Sequence, residues 1–273
     1  MTRVAVIIPC HNDGHLVEEA VGSIREREPV ESVVVDDGST DEHTRERLAT
    51  LERSGLRVVR RDNGGPGAAR NTGLEATVAP LVYPLDADDV LEPGALAAMA
   101  NTLGDHPGAG FTWGDYSVFG DYRGRYRTPE LFLPWTLTYV NPYPISSMFR
   151  REVLERAGGW DGRAYEDWDL WLRLVGMGVR GVRTSGTVYR RRLHGHARVQ
   201  VQARLRHREL YEEILRRNHQ VFERRAELCR EERPAPWKRL VYPALFGSRS
   251  VVPVRVEALL QRAMLRLGTG LPS

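Results

Sequence analysis

At 273 residues, with 41% hydrophobic and 27% charged positions, the chain can build one large core with an appendage and is too apolar to be disordered. A formal charge of +3 excludes a general polycation that coats nucleic acid, and Lys238 is the only lysine, so arginine carries nearly all the positive charge. Two distant cysteines, Cys10 and Cys229, give neither a disulfide framework nor a zinc site, which fits a reducing cytoplasm.

The opening run is a buried strand, broken at Pro9, rather than a signal peptide, and no apolar stretch approaches the ~18 residues of a membrane span. From about residue 3 to 103, short apolar runs alternate with helix-period segments, the pattern of a βαβα layout with a mainly parallel, Rossmann-like sheet flanked by helices. Strands are expected over 4–8, 33–35, 56–59 and 81–85. Leu16, Val17, Ala20, Val21 and Ile24 share one helix face, Ser39 with Glu42 reads as a capping box, and Pro66 and Pro93 suit first turns of two further helices.

Residues 104–163 are rich in Gly, Pro, Trp and Tyr with weak periodicity, and are expected to form mixed strand and loop over the open edge of the sheet. Helical pattern returns over 151–157 and 166–174. Residues 197–232 read as one charged helix ended by Pro234 and Pro236, and 237–267 as an amphipathic, basic stretch. The division is therefore a catalytic unit over 1–195, with halves near 1–115 and 116–195, and a helical C-terminal extension over 196–273.

Ligands of such sheets bind at the carboxyl ends of the strands, and polar residues gather there: residues 11–13, Asp36 with Asp37, Asp62 with Asn63, and residues 86–89. Asp and Asn are also common turn formers, so each position alone stays ambiguous. The run Asp86-Ala87-Asp88-Asp89 sets three carboxylates after an apolar strand. Such crowding calls for a counter-ion, and hard cations such as Mg²⁺ or Mn²⁺ take carboxylate and phosphate oxygens. The bland reading is a solvated turn before the next helix.

The segments Val-Ile-Ile-Pro-Cys-His-Asn at 6–12, Val-Asp-Asp-Gly-Ser-Thr-Asp at 35–41, Gly-Ala-Ala-Arg-Asn-Thr-Gly-Leu at 67–74 and Asp-Ala-Asp-Asp at 86–89 together resemble family 2 of the inverting glycosyltransferases. So do Ser-Met-Phe-Arg-Arg at 147–151, Gly-Gly-Trp-Asp at 158–161 and Glu-Asp-Trp-Asp-Leu-Trp-Leu-Arg at 166–173. The resemblance spans about residues 3–189 and implies the GT-A fold, a nucleoside-diphosphate-sugar donor with a uridine or thymidine base favoured, and Mn²⁺ or Mg²⁺. It implies that Asp37, with Pro9 and His11, holds the base while Asp36 is structural or assists. Arg70, Asp86 and Asp88 would contact the donor, and Asp88 and Asp89 the metal, with His194 as a loosely matched further ligand. Asp167 would be the catalytic base, with Glu166 and Trp160 on the acceptor side, Trp160 standing where the family usually has Phe. The acceptor is then a hydroxyl on a glycan, a lipid-linked sugar or a small natural product.

Asp167 and its neighbours Glu166 and Asp169 also fit a first-turn acidic cluster that favours the helix dipole. Other readings stay open: a non-catalytic nucleotide-sugar binding module, or a sugar-phosphate nucleotidyltransferase, whose Gly-rich signature after the first strand is missing here. A processive synthase would need membrane spans and a Gln-x-x-Arg-Trp motif, and the chain has neither. The basic end, with Trp237, Lys238, Arg239, Val241, Tyr242, Leu245 and Phe246, could lie on the inner face of a membrane, pack on the catalytic unit or join a homodimer.

Overall fold

A computed structural model describes residues 2–121, 123–161, 165–193 and 206–247. Strands β1 (Val4–Cys10), β2 (Glu31–Asp37), β3 (Arg57–Arg61) and β4 (Leu81–Pro84) form the first half of a nine-stranded sheet, joined by helices α1 (Gly14–Gly22), α2 (Glu42–Arg53) and α3 (Pro66–Glu75). The order β3-β2-β1-β4 is wholly parallel. Every residue of β1 is buried, because alternate side chains enter separate cores: Ile7, Val33 and Val35 on one face, and Val6, Ile8 and Val34 on the other. Helix α3 lies so close to β1 that a Cβ at Gly73 would overlap Ile7.

Beyond β4 the sheet is mixed. Helix α4 (Ala95–Asp105) follows the two-residue β5 (Val90–Leu91), and then come β6 (Ala109–Gly120), β7 (Gly124–Tyr126), β8 (Met148–Arg150) and β9 (Arg180–Leu193). The second half runs β4-β8-β6-β9-β5, with β7 paired to β6. The short helices α5 (Pro134–Leu137) and α6 (Arg151–Ala157) and the longer α7 (Glu166–Gly176) complete this part. Arg151 donates to the carbonyls of Leu74 and Ala79 and to Thr77 Oγ1, each at 2.8 Å, closing the orphaned end of α3.

Several expectations need correction. Residues 104–163 do not cover an open edge: β6 is a central strand between β8 and β9, and its burial on both faces removes the alternation that marks a half-exposed strand. Asp41, not Ser39, caps α2, accepting from Thr44 N at 2.9 Å, while Ser39 N donates to Asp36 Oδ1 and its hydroxyl accepts from Asn12 N. Pro93 precedes α4, whose cap is Gly94 in the left-handed region, and Ile24 lies past the end of α1.

Among the described residues the expected charged helix is broken into α8 (His207–Arg217), α9 (His219–Glu223) and α10 (Arg225–Glu232), followed by α11 (Pro236–Leu245), which Pro236 starts; its expected beginning, residues 197–205, lies outside the described residues. Breaks at Asn218 and Arg224 let Tyr211, Ile214, Val221, Phe222 and Leu228 all reach the core that holds Trp171. Asn218 donates to Asp169 Oδ1 at 2.9 Å, and Tyr211 Oη to Thr138 O at 2.7 Å. Among the described residues no helix is long and apolar enough to cross a membrane.

Candidate active site

The site forms where β1, β2 and β4 end. Pro9 is buried in β1 opposite Val35, and the chain then turns through Asn12 at φ 60°. Asn12 Oδ1 accepts from Thr40 N at 2.9 Å and Asp41 N at 3.0 Å, tying the end of β1 to the loop after β2. Asn is among the few side chains that tolerate this conformation at low cost. His11 is exposed, with Nδ1 2.9 Å from Asp37 O and 3.1 Å from Asn63 Nδ2.

Asp37 is buried. Its carboxylate accepts from Gly64 N (3.1 and 3.3 Å), Gly65 N (2.8 Å) and Arg61 Nη1 (3.1 Å). Three N–H donors thus meet a carboxylate with about four lone-pair sites, and Asp37 serves first to fix the glycine turn that starts α3. Gly38, at φ 71°, lets that turn approach, since a Cβ there would lie 2.7 Å from Asn63 N.

On α3, Arg70 is buried with its fork divided between two acids. Nη2 donates to Asp86 Oδ1 at 2.6 Å and Nη1 to Glu166 Oε1, while Nε has no partner. One guanidinium therefore joins the loop after β4 to the start of α7, two parts of the chain 80 residues apart in sequence (Asp86 to Glu166). The paired acids hold Arg70 charged despite its burial.

Asp86, Asp88 and Asp89 occupy the tight turn between β4 and β5, closed by Asp89 N donating to Asp86 O at 3.0 Å. Their ligating oxygens lie within 4.8 Å of one another. Burial, then Asp86 and Asp88, push the Asp89 carboxyl well above the ordinary range, although Arg192 N donates to Asp89 Oδ1 at 2.9 Å. Arg191 offsets part of this charge, while the Arg192 guanidinium is drawn to Glu19 and Asp88 O. Among the described residues, the five carboxylates of Asp86, Asp88, Asp89, Glu166 and Asp167 exceed the three arginines beside them, Arg70, Arg191 and Arg192, an excess of hard oxygen donors that suits a divalent cation.

Helix α7 opens from Tyr165 at φ 64° and carries Glu166, Asp167 and Asp169 in its first turn. Asp169 faces inward to Arg173 (2.8 Å) and Asn218, a structural role. Asp167 is half-buried, accepting on Oδ2 from Asn141 Nδ2 (2.9 Å) and on Oδ1 from Trp168 N (2.8 Å). Burial raises its pKa, with the Trp168 amide and Arg70 opposing. Burial likewise lifts Glu166 to about 7 against the pull of Arg70. Trp168 Nε1 donates to Leu137 O at 2.7 Å and so holds the Asn141 segment against α7.

Contacts thus link Asp37, Arg70, Asp86, Glu166 and Asp167 through α3, with Asp88 and Asp89 beside Asp86. Trp160 departs from its expected acceptor-side place. It is 1% exposed and packs edge-on against Phe149 in the core, with its backbone clamped by Asn71, because a ring of that size gains more from burial than from lining a wet cleft. His194 lies outside the described residues. Asn12 was legible only as one of the polar residues after β1, while sequence reasoning missed Asn141, which looks like an ordinary turn former, and Arg191, the middle one of three consecutive arginines at 190–192.

The mixed sheet, with acidic residues gathered at the ends of β1, β2 and β4 and at the start of α7, has the GT-A fold, which solved structures share. Staphylococcus aureus TarS 1–349, in complex with UDP-GlcNAc, superposes with a TM-score of 0.64 at 19% identity, over 78% of this chain and 67% of that one. The mannosyltransferase PcManGT from Pyrobaculum calidifontis, in complex with GDP-Man and Mn²⁺, does so at 0.59 and 19% identity, over 97% and 84%. The model of glycosyl transferase family 2 matches residues 5–158, and the chain belongs to that family. The succinoglycan biosynthesis protein ExoU of Rhizobium meliloti is 41% identical over 106 residues, 38% of this chain and 31% of that protein. The matches span about a third to three fifths of the length of the curated relatives.

Proposed function

We propose that this protein is an inverting, metal-dependent glycosyltransferase that moves a sugar from a nucleoside-diphosphate sugar to an acceptor hydroxyl. The observation that carries the proposal is the Arg70 bridge, which sets the Asp86–Asp89 turn, whose three carboxylates would hold a cation, beside Glu166 and Asp167. Family membership and the ligands of the two structural neighbours, UDP-GlcNAc in one and GDP-Man with Mn²⁺ in the other, support the donor class. A uridine or thymidine diphosphate remains the favoured donor nucleotide, and a glycan, lipid-linked sugar or small natural product the acceptor.

In this reading Pro9, His11 and the turn fixed by Asp37 shape the pocket for the base, and the start of α3 offers its amides to phosphate. Asp88 and Asp89 would hold Mn²⁺ or Mg²⁺, with Asp86 toward the ribose or sugar. The ion would supply a Lewis acid that neutralises charge on the departing diphosphate. Asp167 takes the proton of the acceptor hydroxyl as that oxygen attacks the anomeric carbon opposite the leaving group, which gives inversion. Burial makes its carboxylate a stronger base than an exposed Asp, and Asn141 keeps one oxygen fixed. Glu166, held by Arg70, orients the acceptor.

The test is transfer itself. Purified protein with UDP-, dTDP- and GDP-sugars, Mn²⁺ and a panel of hydroxyl acceptors should release nucleoside diphosphate and form a product whose anomeric configuration is opposite to the donor's. Retention of configuration would overturn the mechanism, and tight donor binding with no turnover for any acceptor would leave a binding module as the better reading.

A further inference from the structure

Four large hydrophobic side chains are exposed among the described residues, and two of them, Trp237 (52%) and Leu240 (77%), lie three residues apart on α11. At that spacing they share one face of the helix. The opposite face is already used: Tyr242 stacks on Trp135 of α5 at 5.7 Å and meets Phe246 edge-on at 5.1 Å, while Glu232 accepts from Thr136 N at 3.0 Å just before the helix. Helix α11 is therefore apolar on two sides and anchored on one, with Pro236 and Pro243 adding to the exposed surface. A helix with that pattern has an outer face still to bury.

Charge indicates what covers it. From Arg233 to the end of the sequence there are seven basic residues and one acidic residue, Glu257, a net +6 over 41 residues, whereas the whole chain carries +3 and the preceding 232 residues therefore −3. Within the described part, Arg233 and Arg239 are exposed and Lys238 Nζ sits 5.8 Å over both the Trp237 and Tyr242 rings, with no Asp or Glu between Arg233 and Gly247. A second copy of the chain would bring this same cationic face against itself, a repulsive pairing. An aromatic ring and a leucine flanked by Lys and Arg match the boundary of a bilayer with anionic headgroups, where the apolar side chains enter the acyl region and the cations stay at the phosphate level.

We infer that α11 docks the protein on an anionic lipid surface through Trp237 and Leu240, with Arg233, Lys238 and Arg239 contacting headgroups. The contact is separate from sugar transfer, although α5, to which α11 is fastened, leads within four residues to Asn141, the partner of Asp167.

Trp237 makes the test selective, since the other five tryptophans are at most 5% exposed. Full-length protein is mixed with vesicles of phosphatidylcholine alone or with about one third phosphatidylglycerol, and sedimentation and fluorescence quenching by acyl-chain-brominated lipid are measured. The expected result is sedimentation and quenching with the anionic vesicles only, both weakened by salt. Trp237→Ser with Leu240→Ser should cut partitioning about tenfold at unchanged melting temperature and unchanged nucleotide binding. Lys238→Gln with Arg239→Gln, which leaves all apolar packing in place, should weaken it and reduce its salt dependence. Equal binding to neutral vesicles, no binding to either, or a dimer that the serine variant turns into monomer would overturn the inference. None of these readouts involves sugar transfer, so failure here leaves the transferase reading standing, and loss of transfer would leave lipid binding intact.

Discussion

The carboxamide of Asn141 donates to Asp167 Oδ2 at 2.9 Å, while its own oxygen accepts from Tyr143 N at 3.0 Å, so a residue of the segment after α5 fixes the orientation of a carboxylate on α7. A hydrogen bond to the ionised form favours that form. Asn141→Ala should therefore raise the Asp167 pKa and move the acid limb of the rate profile up by about one to two pH units, given ~1.5–3 kcal/mol for a bond to a charged group. Donor affinity should not change. A pH–rate profile of the two proteins checks this, and coincident limbs would show that Asn141 only packs.

Arg70 holds two carboxylates from the middle of the molecule. Arg70→Met removes the cation but keeps the apolar stem, leaving Glu166, 12% exposed, without its charge partner. Breaking a buried pair in this way costs roughly 3–5 kcal/mol, and the one-third exposure of Asp86 argues for the lower end. Denaturant melts should show that loss, and adding Glu166→Gln to the same variant should recover part of it.

Glu166 titrates near 7 in the folded protein, above its ordinary value of 4.5. A raised carboxyl pKa means the folded state binds the proton more tightly. Its contribution is complete below the unfolded value and lost as pH rises through about 7. Stability should therefore fall between about pH 4.5 and pH 7, and Glu166→Gln should flatten that fall. Melts at several pH values, without nucleotide or metal, give the comparison.

Metal binding is read most simply by stability. With uridine diphosphate present, Mn²⁺ at about a hundred times its dissociation constant should raise the melting temperature by roughly 5–10 °C, since binding at that level contributes ~2.7 kcal/mol. Asp88→Ala and Asp89→Ala should abolish the rise, and chelator should reverse it in the parent protein. A rise that survives both substitutions would move the cation elsewhere.

Much of the first half of the fold was legible in the sequence, because β1, β2 and β4 are short apolar runs between helices whose periodicity is clean. Strand β6 was not, since a strand buried on both faces and built from Gly, Trp, Phe and Tyr shows neither alternation nor a uniform β-branched run. The cap of α2 went to Asp41 because Ser39 was already engaged by Asn12 and Asp36, a tertiary choice that local spacing does not record. In the site, the positions after β1, β2 and β4 and the acids of α7 could be named from order and spacing. The hold of Asp37 on the glycine turn, the division of the Arg70 fork and the grip of Asn141 on Asp167 depend on groups brought together across the fold. Trp160 could not be assigned to core or cleft from its neighbours in sequence.

The central claim is that Asp167 is the base that makes this site an enzyme, and the direct measurement is the transfer rate of Asp167→Asn beside its donor affinity and melting temperature. Asn keeps the size and can still accept from the Trp168 amide, so a purely structural role leaves rate and stability unchanged. A base in the transition state contributes ~10²–10⁴-fold. Turnover lower by that factor, with donor and Mn²⁺ affinity near those of the parent, is the expected result. Transfer at the parent rate would contradict it and remove Asp167 from the chemistry.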